Sequence, residues 1–340
     1  MHGWAHRNAV RRAAGVLGGG FLLLSTAAAA VKISGVAYDD LLDFGRRFGL
    51  AVTWTKPGRE LRLHSQWTKL EFTSGSREIG WNGLRIFLGE PARPRQGGLW
   101  LATSDLAATL TPLLKPDAVP PPGELKLIAL DAGHGGADPG AENRKLKLRE
   151  KDLTLDLARR LKPLLEERGY RVLMVRDRDM RFSNSPSVDL PKRAEVANQA
   201  GADLYLSLHF NALPGDSRVH GIETYAFTPS GQRSTASSLH RSSDKTARPV
   251  NRHDHWNMVL AAAVHTRMVD ELAAADRGLK RARWAMLREL DCPGILVEAG
   301  FVSNEAEGRK IGTPGYRQRI ARAIARGVDD YANRLRPART

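Results

Sequence analysis

The segment "KPDAVPPPGEL", Lys115 to Leu125, constrains the fold of this chain more than any other. Four of its eleven residues are proline, which fixes φ and offers no backbone N–H, so neither a regular helix nor a central strand can pass through it. It reads as a semi-rigid connector over residues 115–124, and the sequence follows different periods on its two sides.

Downstream, residues 125–336 alternate strand with helix. "LKLIAL", "YRVLMV", "DLYLSL", "GIETYAF" and "GILVE" are short apolar runs of strand length. "EKDLTLDLARRLKPLLEERG" sets Leu153, Leu157, Leu161, Leu164 and Leu165 on one helical face, with Pro163 as a candidate kink and Gly169 as a stop. "LPKRAEVANQAG" predicts a further helix. "NMVLAAAVHTRMVDELAA" aligns Leu260, Val264, Met268 and Leu272, and "YRQRIARAIARGVDDYANRL" aligns Ile320, Ile324, Val328 and Tyr331. This alternation predicts a three-layer α/β/α sandwich. Upstream, residues 31–114 combine a short helix at "YDDLLDFGRRFG" with the runs "LAVTWT", "ELRLHS", "KLEFTS" and "LRIFLG", a small α+β unit carrying no catalytic cluster. Its opening "VKISGVAYDDLLDFG" and its end "GGLWLATSDLAATLTPLL" share a strand-then-helix layout, a weak internal duplication. The pattern resembles the copper amine oxidase-type N-terminal domain of envelope proteins, which implies an accessory role and no copper.

Residues 1–30 carry Arg7, Arg11 and Arg12, then an apolar stretch from Val16 to Leu24 too short to span a bilayer, then an Ala-x-Ala ending. That layout predicts a signal peptide, with export by the Sec or, given the arginine pair, the twin-arginine route to the periplasm, the cell envelope or the exterior, and no transmembrane segment once it is cleaved. The lone Cys292 rules out an internal disulfide. A formal charge of +15 favours an anionic polymer or an acidic membrane face. Nucleic acid is disfavoured, because the cations are interspersed with acids and form no basic tail. The chain is expected to act as a monomer.

Ligands of open α/β sheets collect where strands end. His134 follows "LIALDAG", His209 closes "LYLSLH", Glu298 closes "GILVE" and Glu150 opens the first helix. Imidazole and carboxylate at such ends suit a zinc ion, although each of the four alone also fits a turn, a helix start or a satisfied core position. His253 and His255 read as exposed loop residues, His265 as helix surface, and His220 has no clear role. G-x-G-x-x-G is absent from "LDAGHGGADPGA", which excludes a dinucleotide loop.

"LDAGHGGADPGA", "REKDLTLDLARRL", "RAEVANQAGADLYLSLHFNA", "GIETY", "DRGLKRARWAMLRELDCPGILVEAGFVSN" and "YRQRIARAIARGV" resemble, in order, the blocks of the zinc-dependent N-acetylmuramoyl-L-alanine amidases of the type-3 family. The resemblance covers about residues 125–335. It implies a mixed, mostly parallel sheet, His134, Glu150 and His209 as ligands of Zn2+, Glu298 as catalytic glutamate, and peptidoglycan as substrate, with a protein activator as a further candidate partner. Asp131, Asp138 and Asn211 flank these positions and either fix imidazoles, bind substrate or serve only the turns. The polar stretch at 228–256 is longer than a connection needs and reads as a substrate-contacting rim with Arg241, Lys245, Arg248 and Arg252, as a flap, or as a solvated loop. Two rival functions remain: a non-catalytic wall binder of the same fold, and a zinc stem-peptide carboxypeptidase.

Overall fold

A computed structural model describes residues 30–95 and 97–336, so the expected signal peptide falls almost wholly outside the described residues. Its centre is an eleven-stranded sheet. In chain order the strands are β1 (Ala51–Lys56), β2 (Glu60–His64), β3 (Lys69–Thr73), β4 (Glu78–Trp81), β5 (Leu84–Phe87), β6 (Leu127–Ala132), β7 (Arg171–Met174), β8 (Leu204–Asn211), β9 (Ile222–Phe227), β10 (Asp276–Ala282) and β11 (Gly294–Phe301). Across the sheet they run β7-β6-β8-β11-β9-β10-β5-β4-β3-β2-β1.

β6, β8 and β11 are parallel and buried along nearly their whole length, which explains their continuous apolar runs. Alternate side chains separate onto two faces. Ile128, Leu130, Leu206, Leu208, Ile295 and Val297 pack with α1 (Glu150–Glu166), α3 (Asp254–Leu272) and α6 (Pro314–Leu335). Ala129, Tyr205 and Leu296 meet the other layer, α2 (Pro186–Gln199) and the short α4 (Ala285–Arg288). A further helix of this half, α5, spans Glu305–Ile311, and the N-terminal half carries the short helix Leu41–Arg47 expected from "YDDLLDFGRRFG". α1 continues through Pro163 to Glu166, one turn beyond the proline, which lacks the N–H to bond the carbonyl of residue 159.

The strands before the connector extend this sheet. β5 lies parallel to β10, pairing Ile86 with Leu279, and β1 to β5 form an antiparallel meander outward from there. Leu63, Phe72, Trp81 and Ile86 share one apolar cluster with the helices of the other half. The connector is itself held down: Trp256 Nε1 donates to Pro120 O at 2.8 Å, and His255 Nε2 to Pro116 O at 2.8 Å. The two similar segments at the ends of the N-terminal half are neighbours, as Val36–Asp40 and Gly98–Ala102 pair in a separate four-stranded sheet.

β9 runs antiparallel to β11, so the chain leaving β9 emerges at the opposite end of the sheet from Glu298. The 228–256 stretch therefore starts on the far side. It is fastened to the N-terminal strands: Arg77 donates to Ser234 O and Ser237 O, and Arg233 pairs with Glu90, which His240 also contacts. None of its described residues lines the cavity that holds His209 and Glu298.

Candidate metal and catalytic site

The site is assembled at the carboxyl ends of β6, β8 and β11. After β6 the chain turns through His134, held at φ +63°, a conformation that costs a non-glycine residue energy and persists only where the surroundings impose it. Two buried guanidiniums impose it. Arg176 donates to Ala132 O and Gly133 O (2.7 and 2.9 Å), and Arg193 to Ala132 O and His134 O (3.1 and 2.9 Å). Arg193 is in turn fixed by Asp131 and Asp189, at 2.8 and 2.9 Å.

His134 Nδ1 donates to Asp138 Oδ2 at 2.9 Å, which turns Nε2 toward Glu150 Oε2, 3.0 Å away. Glu150 opens α1 and is buried. Its Oε1 lies 2.9 Å from His209 Nδ1 and accepts from Phe210 N, while Oε2 accepts from Ala141 N. Burial alone would raise this carboxyl, but the hydrogen bonds from His134 and His209 hold it well below the usual range. His134, Glu150 and His209 each offer one ligand atom within 4.8 Å of the others. The fit to a divalent cation rests on more than proximity. His209 Nε2 is buried without a hydrogen-bond partner among the described residues. A Cβ on Gly133 would lie 2.3 Å from the His209 ring, and one on Gly140 2.7 Å from both Glu150 Oε2 and His134. Two imidazoles and one carboxylate are a zinc donor set.

Register places Glu298 beside this group, because His209 and Glu223 are its partners on the two flanking strands. Burial, Glu150 and Glu223 push the Glu298 carboxyl well above its ordinary range, and its Oε2 has no hydrogen-bond partner among the described residues. Glu223, inside "GIETY" but unassigned from sequence, is the buried neighbour. It accepts from Arg277 Nε and Lys280 Nζ on one oxygen and from Tyr225 and Asn211 on the other. The ligand group and Glu298 line one cavity of about 400 Å³, whose other walls include Arg181, Arg193, Phe210, Trp284 and Met286.

The flanking residues divide. Asp138 orients an imidazole, Asp131 anchors Arg193 and Ser207, and Asn211 joins the Glu223 network. Arg252 pairs with Asp291 next to the start of β11 and is not among the residues that line the cavity. His253 likewise bonds to Asp291 O. His265 is not on the surface: it is fully buried between Thr224 Oγ1 and Asp276 Oδ1, at 2.9 and 2.8 Å. Cys292 is buried and its thiol pushed up to about 12, so it is no nucleophile near neutral pH.

Residues 128–330 match the family of N-acetylmuramoyl-L-alanine amidases. The chain belongs to that family. It is 32% identical over 209 residues to a cell wall amidase of Bacillus anthracis, covering 61% of this chain and 36% of the relative. It is 31% identical over 226 residues to the germination-specific N-acetylmuramoyl-L-alanine amidase of Bacillus subtilis, covering 64% of this chain and 83% of the relative. The chain thus spans little more than a third of the first relative's length and most of the second's. Among solved structures it is similar to the N-acetylmuramoyl-L-alanine amidase AmiC2 of Nostoc punctiforme, with 27% identity and a TM-score of 0.50 over 62% of this chain and 99% of that one.

Proposed function

We propose that this chain is an exported zinc-dependent N-acetylmuramoyl-L-alanine amidase that hydrolyses the amide between the lactyl group of N-acetylmuramic acid and L-alanine in peptidoglycan. The observation that carries the reading is the register of Glu298, which sets an unpaired buried carboxylate oxygen beside His209 in the cavity that holds the whole ligand group. His134, Glu150 and His209 would hold zinc, with Asp138 orienting the first imidazole. Zinc in such a site supplies Lewis acidity toward the amide carbonyl and activation of water.

The chain's own part is proton transfer and orientation. Glu298 Oε2 takes the proton of the attacking water and delivers it to the departing alanine nitrogen. That oxygen must accept and then donate, and no other group among the described residues bonds to it. The Glu223 network keeps the neighbouring carboxylate fixed by Lys280 and Arg277. Residues 31–114 are an accessory unit and 115–124 a connector, and a signal peptide over 1–30 delivers the enzyme to the envelope. A non-catalytic wall binder would have no use for Glu298.

Glu298→Gln tests the assignment: hydrolysis is expected to fall at least a thousandfold while bound zinc stays near one equivalent, whereas His134→Ala should lose both. Retention of most activity by Glu298→Gln would remove Glu298 from the mechanism.

A further inference from the structure

Arg241, Lys245, Arg248 and Arg252, the cations of the rim that was one reading of 228–256, lie on the stretch that leaves the sheet at its far end. Among the described residues, the cavity beside Glu298 is lined by two cations only, Arg181 and Arg193. Arg193 is spent: it is buried, pairs with Asp131 and Asp189, and donates to two backbone carbonyls. Arg181 is different. It follows Asp179 on the chain leaving β7 and packs against the glycine turn beside His134, where a Cβ on Gly136 would lie 3.2 Å from its Cγ. Its Nε is buried with no hydrogen-bond partner among the described residues.

A guanidinium N–H withdrawn from water without an acceptor is costly, and a planar fork on a cavity wall is suited to a carboxylate. The lining also carries apolar side chains. Trp284 stands edge-on to Tyr225, and it, Val188 and Leu213 are exposed apolar side chains at or next to residues lining the cavity. A substrate with an apolar part and one anionic group fits this lining.

We propose that Arg181 is a substrate-binding residue that receives the free carboxylate of the acidic residue following L-alanine in the stem peptide. The proposal rests on the amidase reading of the site. That carboxylate stands one residue beyond the scissile amide, within a few ångströms of chain reach, and the cavity of about 400 Å³ holds both Arg181 and Glu298. Arg181 takes no part in proton transfer. It fixes which way the peptide leaves the reacting bond, and it makes the enzyme sensitive to whether the second residue is an acid or an amide.

The test uses the purified full chain loaded with zinc and two soluble substrates, N-acetylmuramoyl-L-alanyl-D-isoglutamate and its isoglutamine counterpart, which differ only in that carboxylate. Release of L-alanine amino termini is followed. The wild type is expected to favour the acid about tenfold in kcat/KM, carried by KM, and Arg181→Ala and the longer neutral Arg181→Gln to bring the ratio close to one. A ratio cancels any loss of folded enzyme in the variants. Equal handling of the two substrates by the wild type, or a preference that survives in both variants, would overturn the proposal. Release of amine from neither substrate by the wild type would instead count against the amidase reading on which it rests.

Discussion

At the scale of single residues, the site works because small side chains bring large ones together. His134 was legible as a metal ligand from "LDAGHGG" together with Glu150, His209 and Glu298, since all four close or open elements at one edge of a sheet. What the sequence did not show is how the turn is held. Arg176 and Arg193 lie far along the chain, and a buried arginine looks like any other arginine in a basic chain until the carbonyls it binds are known. Gly133 gives a direct check. In Gly133→Ala the new Cβ would lie 2.3 Å from the His209 ring, so the ring must move. Zinc affinity is expected to fall at least tenfold with the far-ultraviolet circular dichroism unchanged, and unchanged affinity in a metal titration would contradict the ligand assignment. Asp138→Ala is expected to weaken zinc about 10- to 100-fold, because His134 Nδ1 loses its acceptor.

At the scale of elements, apolar periodicity located β6, β8, β9 and β11 and the three long helices, since each buries a continuous face. β4 was missed: Glu78–Trp81 is four residues with a glycine and a glutamate, too short for a pattern. The first turn of α2 was missed because Pro191 reads as a helix start, whereas the helix begins at Pro186. Strand direction was the most consequential omission. No local feature of "GIETYAF" says that β9 opposes β11, and that reversal starts the stretch bearing Arg252 at the other end of the sheet.

The Asp131–Arg193 pair ties α2 to the sheet and predicts a pH dependence. Burial would raise the Asp131 carboxyl, but Arg193 and His209 outweigh it and set it below its ordinary value. A carboxyl depressed in the folded state contributes stability in full above its unfolded value of about 4 and loses it as pH falls through the lower folded value. The advantage of the wild type over Asp131→Asn in urea midpoint is therefore expected to be constant from about pH 5 to 7 and to shrink below about pH 4. An advantage undiminished at about pH 3 would show that the pair is not the source.

At the scale of the whole molecule, the proline-rich segment marks a change of period, yet the two sides share one sheet and one apolar cluster. Sequence could not show this, because the joint is made by β5 and β10, which are nearly two hundred residues apart and paired through Ile86 and Leu279. Polar contacts strengthen it: Arg281 donates to Ala108 O, Gln232 to Asp105, and Arg85 N to Asp276, the residue that also holds His265. Calorimetry is expected to give one unfolding transition for the two sides, and two separable transitions would contradict a shared core. Arg233→Ala leaves Glu90 buried with a weaker partner and is expected to cost about 3 kcal/mol, lowering that transition without splitting it.

The account as a whole stands on which bond is cut. Purified peptidoglycan digested with the zinc-loaded chain, with and without a chelator, and read by mass spectrometry of the products tests it most directly. The expected result is free stem peptides with new L-alanine amino termini and glycan with a free lactyl carboxyl, both abolished by the chelator. Release of D-alanine with no new L-alanine amino terminus would contradict it.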